Sequence, residues 1–131
     1  MLVFDYNDGK LTQVQTVPMT APGFKGKIGG AIHLSPDGCF LYATNRGEAN
    51  QLVQFAVELN GHLKLEKRYS TLGKTPREFA IDPSGRWLIV GNQDSDSAYF
   101  FRRDPQTGEL ASDPKQLSIG SPVDLKFVSP S

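Results

Sequence analysis

The chain has 131 residues, 38% hydrophobic and 21% charged, which is the make-up of a globular domain and excludes a disordered tail. Its 14 basic and 14 acidic side chains cancel, and no basic run or basic amphipathic helix points to nucleic acid or a membrane surface. Apolar runs are too short to span a bilayer, and the single cysteine, Cys39, excludes an internal disulfide.

Residues 2–6 are rich in β-formers and read as a short strand. They lack the charged start and long apolar stretch of a signal peptide, so cytoplasm is the expected compartment. Asn7-Asp8-Gly9-Lys10 is a tight turn, with Asp-Gly supplying the left-handed backbone it needs. Residues 11–17 alternate partly with period two and form a second strand. Residues 18–30 hold two prolines and four glycines and read as a loop that crosses between units or carries function.

Four strands follow, at 31–34, 39–44, 51–58 and 63–70, with turns at Pro36-Asp37-Gly38 and Asn60-Gly61-His62. Gly73-Lys74-Thr75-Pro76 leads into four more, at 78–81, 86–91, 97–103 and 109–118. Gly120-Ser121-Pro122 repeats that lead-in, and residues 123–128 open a further strand. Cys39 reads as a small residue beside a turn, because no base stands near it in sequence.

The two sets of four are one unit used twice. Pro36 and Pro83, Gly38 and Gly85, Leu41 and Leu88, and Asn45 and Asn92 are each 47 positions apart. Gly-x-Leu recurs at 9–11, 61–63 and 108–110, which makes the opening hairpin the outer half of an earlier unit. Four short strands in a unit of roughly 45 residues is the blade of a β-propeller. The expected layout is an outer half-blade and loop over 1–30, a blade over 31–72, a second over 73–121, and the first strand of a closing blade over 122–131. Propellers close with about four to eight blades, so one copy cannot close a ring. Either the chain is a piece of a longer protein, or further copies or a partner complete the assembly.

Ala31-Ile32-His33-Leu34-Ser35-Pro36-Asp37-Gly38, Leu41 through Gly47, and Thr75-Pro76-Arg77-Glu78-Phe79 resemble the lactonase family of seven-bladed β-propellers. Ile81-Asp82-Pro83-Ser84-Gly85, Asn92 through Asp96 and Thr107-Gly108-Glu109-Leu110 fit the same family. Its members include propeller-type 6-phosphogluconolactonases and carboxymuconate lactonizing enzymes. The resemblance is to the C-terminal part of such a protein. It implies hydrolysis of a sugar-acid lactone without a cofactor. It also places further site residues, an Arg-His pair and a glutamate, in upstream blades. The family often has an acidic residue just before the Ile-His pair, where this chain has Ala31.

Three residues are candidates for chemistry. Arg46 offers a planar fork of donors for a phosphate or carboxylate, and its counterpart one unit later is Gln93, so the repeat does not demand arginine. The resemblance places the Asn-Arg arginine in the active cleft. The competing reading pairs Arg46 with Glu48 or Asp94. Arg77 follows Pro76 at the entry to an innermost strand, near the mouth of a propeller's channel. Its counterpart is Val123, and its competing reading is a rim salt bridge with Glu78. His33, opposite Ala80 in the repeat, titrates near neutrality and is the candidate base, against a packed strand histidine.

His62 reads as an exposed turn residue. Asp37, Asp82 and Asp124 read as structural, and Asp37 and Asp82, flanking the Pro-containing turns, can bind nearby backbone amides. Asp94-Ser95-Asp96 lacks the remaining ligands of a calcium loop, and no metal site is expected. Most of Phe40, Tyr42, Phe55, Phe79, Trp87, Tyr99, Phe100 and Phe101 should fill the space between blades.

Three functions remain open. The first is a lactone hydrolase of the 6-phosphogluconolactonase kind. The second is a non-catalytic interaction module or inactive fragment. The third is a carboxymuconate cycloisomerase, whose arginines bind carboxylates.

Overall fold

The computed structural model describes residues 1–25 and 28–130. Ten strands follow one another: β1 (Leu2–Asn7), β2 (Lys10–Thr16), β3 (Ile28–Leu34), β4 (Phe40–Arg46), β5 (Gln51–Val57), β6 (Leu63–Ser70), β7 (Pro76–Ile81), β8 (Trp87–Asn92), β9 (Ser97–Arg102) and β10 (Lys115–Ser118). Among the described residues a single 3-10 turn, Gln93–Ser95, interrupts them. β1 and β2 form a hairpin, β3 to β6 form one four-stranded sheet in chain order, and β7 to β10 form a second. All pairings are antiparallel. This is the all-β architecture of four-stranded blades expected from the repeat.

The turns work as their residues dictate. Asp8 and Gly9 both take positive φ, 48° and 78°, as a two-residue hairpin requires. In the Pro-x-Gly turns the Asp37 carboxylate accepts the Cys39 amide at 3.0 Å, and Asp82 accepts the Trp87 amide at 2.8 Å. The Ser35 hydroxyl and the Cys39 amide hold the Asp37 carboxyl below its ordinary range. At Asp82 burial acts the other way, but bonds from Ser84 and from the Trp87 amide outweigh it.

Three strand boundaries differ from expectation. β3 begins at Ile28, inside the expected loop, because Ile28 pairs with Arg46 and Gly29 with Asn45 at the far end of β4. A bulge between Gly29 and Ile32 absorbs the extra length. The expected strand over 109–118 is broken: Leu110 makes an isolated bridge to Arg103, and only Lys115–Ser118 joins β9. Pro114 stands between the two parts and has no amide to donate. Residues 123–128 form no strand.

The period of two sorts the first sheet's side chains onto two buried faces. Tyr42 and Leu52 turn toward the second sheet, where they meet Phe79, Leu88, Val90, Phe101 and Leu110. Val53 and Phe55 turn the other way, toward Val17 and the hairpin, with Met1, Val3 and Leu41 alongside. The sheet is thus covered on both sides, which is why β4 and β5 are almost continuously buried. The other face of the second sheet is covered only in part, by Pro122 and Leu125 against Gly91. Trp87, one of the eight aromatics of which most were expected between blades, is 37% exposed on that face beside Ile89, Phe100 and Leu117. His62 is half-buried, not exposed.

A polar clamp crosses the core between the sheets. Arg103 is buried and donates to the Tyr42 hydroxyl at 2.7 Å and to the Gly85 carbonyl at 2.7 Å. Its guanidinium lies over the rings of Phe40 and Tyr42, 5.4 and 5.5 Å from their centroids. The Tyr42 hydroxyl in turn donates to the Gly108 carbonyl. Burial pushes the Tyr42 phenol from its usual 10.0 to about 12, only partly offset by Arg103. Because the folded value lies above the unfolded one, this stabilisation is complete below pH 10.0 and is lost as pH climbs toward 12. In urea unfolding, Tyr42→Phe should start less stable at neutral pH yet lose stability less steeply on that alkaline limb. Some slope should remain, since burial also raises Tyr69.

β3 and β7 meet at Gly30. A Cβ there would collide with the Thr44 hydroxyl, which holds the Ala31 amide at 2.8 Å, and would press on the Pro76 carbonyl at 3.0 Å. Gly30→Ala should therefore cost about 1–3 kcal/mol in the same unfolding measurement, whereas Gly29→Ala, with open space around it, should cost less.

Candidate functional site

Arg46 and Arg77 lie at the same end of adjoining sheets. Arg46 closes β4, opposite Ile28, where β3 begins, and Arg77 stands at the start of β7. Gly30 couples the two places, since its position abuts the carbonyls of Pro76 and Arg77. The Arg46 Nη2 donates to the Gly29 carbonyl at 2.8 Å, and its Nε is buried without a hydrogen-bond partner. The Arg77 Nη1 donates to Gln93 Oε1 at 3.2 Å. Gln93 is the repeat counterpart of Arg46, so one arginine is held by the residue equivalent to the other.

Neither arginine has the carboxylate partner that the competing readings assigned. Glu48 accepts the Lys25 amide at 3.0 Å, and Asp94 accepts the Thr75 hydroxyl. Glu78, which follows a bulge of β7 at Arg77, binds His33. Among the described residues both guanidinium groups keep donors for an anion.

The approach to Arg77 is firmly held. Thr75 takes φ 59°, a conformation non-glycine residues adopt only when their surroundings impose it. Its amide donates to Asn50 Oδ1 at 3.0 Å, and its carbonyl accepts the Gln93 amide at 3.0 Å. The Lys74 amide donates to the Ser95 hydroxyl at 2.9 Å. Pro76, buried, then fixes the entry to β7.

His33 stands apart from Arg46, yet it reaches Glu78, the residue next to Arg77. It pairs with Tyr42, four residues back along β4 from Arg46, or roughly 13 Å at the usual strand rise. Its Nε2 lies 2.7 Å from Glu78 Oε1, and its ring meets Phe79 edge-on at 4.8 Å. An open groove of about 320 Å³ runs past His33, Phe79, Ala80, Leu125 and Lys126. Ala31, two residues earlier on β3, packs against the core between the sheets and carries no charge to this place. A larger cleft of about 790 Å³, beside Arg86, Trp87 and Glu109, lies at the other end of β8 and is remote from both arginines.

Two roles were missed in the sequence. Asn45 and Asn92, paired by the repeat, anchor the preceding unit: Asn45 donates to the Thr20 hydroxyl at 3.0 Å and Asn92 to the Thr71 carbonyl at 2.7 Å. Their spacing of 47 was the available signal. Glu78 as the partner of His33 had no such signal, because the contact joins two sheets. The acidic turn Asp94-Ser95-Asp96 serves the protein's own backbone, with Asp96 accepting the Ser121 amide at 2.8 Å. Asp124 likewise accepts the Leu125 amide at 2.9 Å.

Comparison with known proteins places this geometry. A 6-phosphogluconolactonase of Formosa agariphila is 47% identical over 98 residues, covering 73% of this chain and 28% of that protein. A 6-phosphogluconolactonase of Bacillus subtilis is 33% identical over 131 residues, covering 98% and 38%. The solved structure of the periplasmic gluconolactonase PpgL of Pseudomonas aeruginosa superposes with a TM-score of 0.93 at 46% identity, covering 98% of this chain and 36% of that one. The chain thus spans less than two fifths of the length of these relatives. The model of the family described as lactonase, 7-bladed β-propeller, matches residues 1–127, and the chain belongs to that family.

Proposed function

We propose that this chain forms part of a sugar-lactone hydrolase of the 6-phosphogluconolactonase kind. The observation that carries the reading is the pair of arginines, Arg46 at the end of β4 and Arg77 at the start of β7, at the same end of adjoining sheets with no carboxylate on either among the described residues. Guanidinium groups so placed suit the anionic end of a phosphorylated sugar acid. His33, roughly 13 Å along the strand from Arg46 but in contact with Glu78 next to Arg77, supplies the candidate base on the same pair of sheets. The names of the Formosa agariphila and Bacillus subtilis relatives support the same substrate class.

The chemistry needs no cofactor. His33 accepts a proton from water as the water oxygen bonds to the lactone carbonyl carbon. Collapse of the tetrahedral adduct breaks the ring C–O bond, and the proton passes to the departing ring oxygen, leaving a hydroxy acid. Donors from the arginines hold the anion or the developing oxyanion. In this reading residues 1–30 are the outer half of one blade with its loop, 31–72 and 73–121 are full blades, and 122–131 give the first strand of a closing blade. The remaining blades come from a longer chain or from further copies. Cytoplasm is the proposed compartment; among the described residues no helix is long and apolar enough to cross a membrane.

Kinetics on a panel of phosphorylated lactone, plain lactone and carboxylated muconate test the reading. In the assembled enzyme, Arg46→Ala and Arg77→Ala should each raise KM for the phosphorylated lactone by about 10- to 100-fold, the worth of a charged hydrogen bond. The plain lactone should be affected less. Unchanged kinetics in both variants would remove the anion site, and preference for the muconate would move the chain to the cycloisomerase branch.

A further inference from the structure

We propose that Glu78 is a positioning residue for His33, so that the base of the site is assembled from two adjacent blades. The inference rests on the hydrolase reading above. The Glu78 Oε1 is fixed by two donors: the His33 Nε2 at 2.7 Å and the Phe79 amide at 2.9 Å. An ionised carboxylate only accepts, so Nε2 carries the proton in this contact. That leaves Nδ1 of the neutral ring as the nitrogen able to take a proton from water.

The ring is also held sideways. Phe79 is fully buried and presents a rigid wall, with the imidazole edge-on at 4.8 Å and an interplanar angle of 75°. One residue of β7 therefore sets the azimuth of the ring, and its neighbour fixes the hydrogen bond. The charged groups of the terminal segment facing the pair are Asp124 and Lys126, joined to each other at 2.8 Å. They leave the Nε2 contact to Glu78 intact.

A purely structural role for this pair fits less well. His33 and Glu78 side chains are 42% and 20% exposed, and ion pairs that open to water add little stability. The repeat does not require them either. The counterpart of Glu78 one unit earlier is Ala31, and the counterpart of His33 one unit later is Ala80. The two residues occur once each, in the adjoining strands where they can meet.

The test has two readouts. In the chain itself, NMR cross-relaxation between the His33 and Phe79 ring protons should be strong in wild type and averaged away in Glu78→Ala, with the backbone spectrum otherwise preserved. In the assembled enzyme, Glu78→Gln should lower kcat for lactone hydrolysis by about 10- to 100-fold while KM stays near wild type. Glu78→Asp should recover part of the loss. Absence of the ring contact in wild type, an equal contact in Glu78→Ala, or an unchanged kcat in Glu78→Gln each overturns the inference. His33→Gln separates the two claims. Wild-type turnover there removes the base assignment itself, whereas a dead His33→Gln beside a fully active Glu78→Gln removes only the positioning role.

Discussion

Burial of the first four-stranded sheet on both faces is the constraint from which the rest follows. A sheet with apolar residues on each side is stable only between two neighbours. Here the hairpin covers Val53 and Phe55, and the second sheet covers Tyr42 and Leu52. The stacking leaves little freedom for the polar groups caught between. Gln54, buried at 1% exposure, must be satisfied, and it is: its amide donates to the Thr107 carbonyl at 2.9 Å and its oxygen accepts the Tyr69 hydroxyl at 2.6 Å. Tyr42 meets the same demand through Arg103 and the Gly108 carbonyl, whereas Arg103 donates to Tyr42 and Gly85 and keeps one buried nitrogen, Nη2, without a partner. These bonds all cross from one sheet to the next or link neighbouring strands, so they set the relative placement of the sheets more sharply than apolar contact alone.

That placement positions the chemistry. β3 and β7 come close only because Gly30 has no side chain, and their approach brings Arg77 toward the end where Arg46 lies. The same approach lets Glu78 reach His33. The inner strands thus act as neighbouring rails, and the groups that face a ligand are those that the repeat leaves free to vary. The shared positions, Asn45 with Asn92 and Gly38 with Gly85, carry anchors and turns. The positions that differ, Arg46 with Gln93 and Glu78 with Ala31, carry charge.

Much of this was legible in the chain. Turn residues and the 47-residue spacing located the strands, because a Pro-x-Gly turn and a period of two are local properties. The two arginines were found because they broke the repeat. What escaped were features decided between elements. Ile28 and Gly29 look like loop, and they join a strand because β4 is long enough to pair with them. Residues 123–128 look like strand, and they instead lie outside any strand, with Pro122 and Leu125 against Gly91. Trp87 looks like core, and it is 37% exposed on the outer face of the second sheet. The His33–Glu78 contact joins residues 45 apart, and nothing in either local sequence announces it.

The stacking has a consequence for how the molecule comes apart. Sheet-to-sheet core contacts run from hairpin to first sheet and from first sheet to second, as a chain of nearest-neighbour terms. A lesion at Val17 or Phe55 loosens the hairpin and reaches the second sheet only by way of the first. Amide exchange should accordingly be graded along the stack, fastest in the two-stranded hairpin and slowest in β4 and β5, whose amides are shielded from both sides. Unfolding then resembles the unzipping of a linear array more than the collapse of a single droplet, and the shared sheet in the middle is its last refuge.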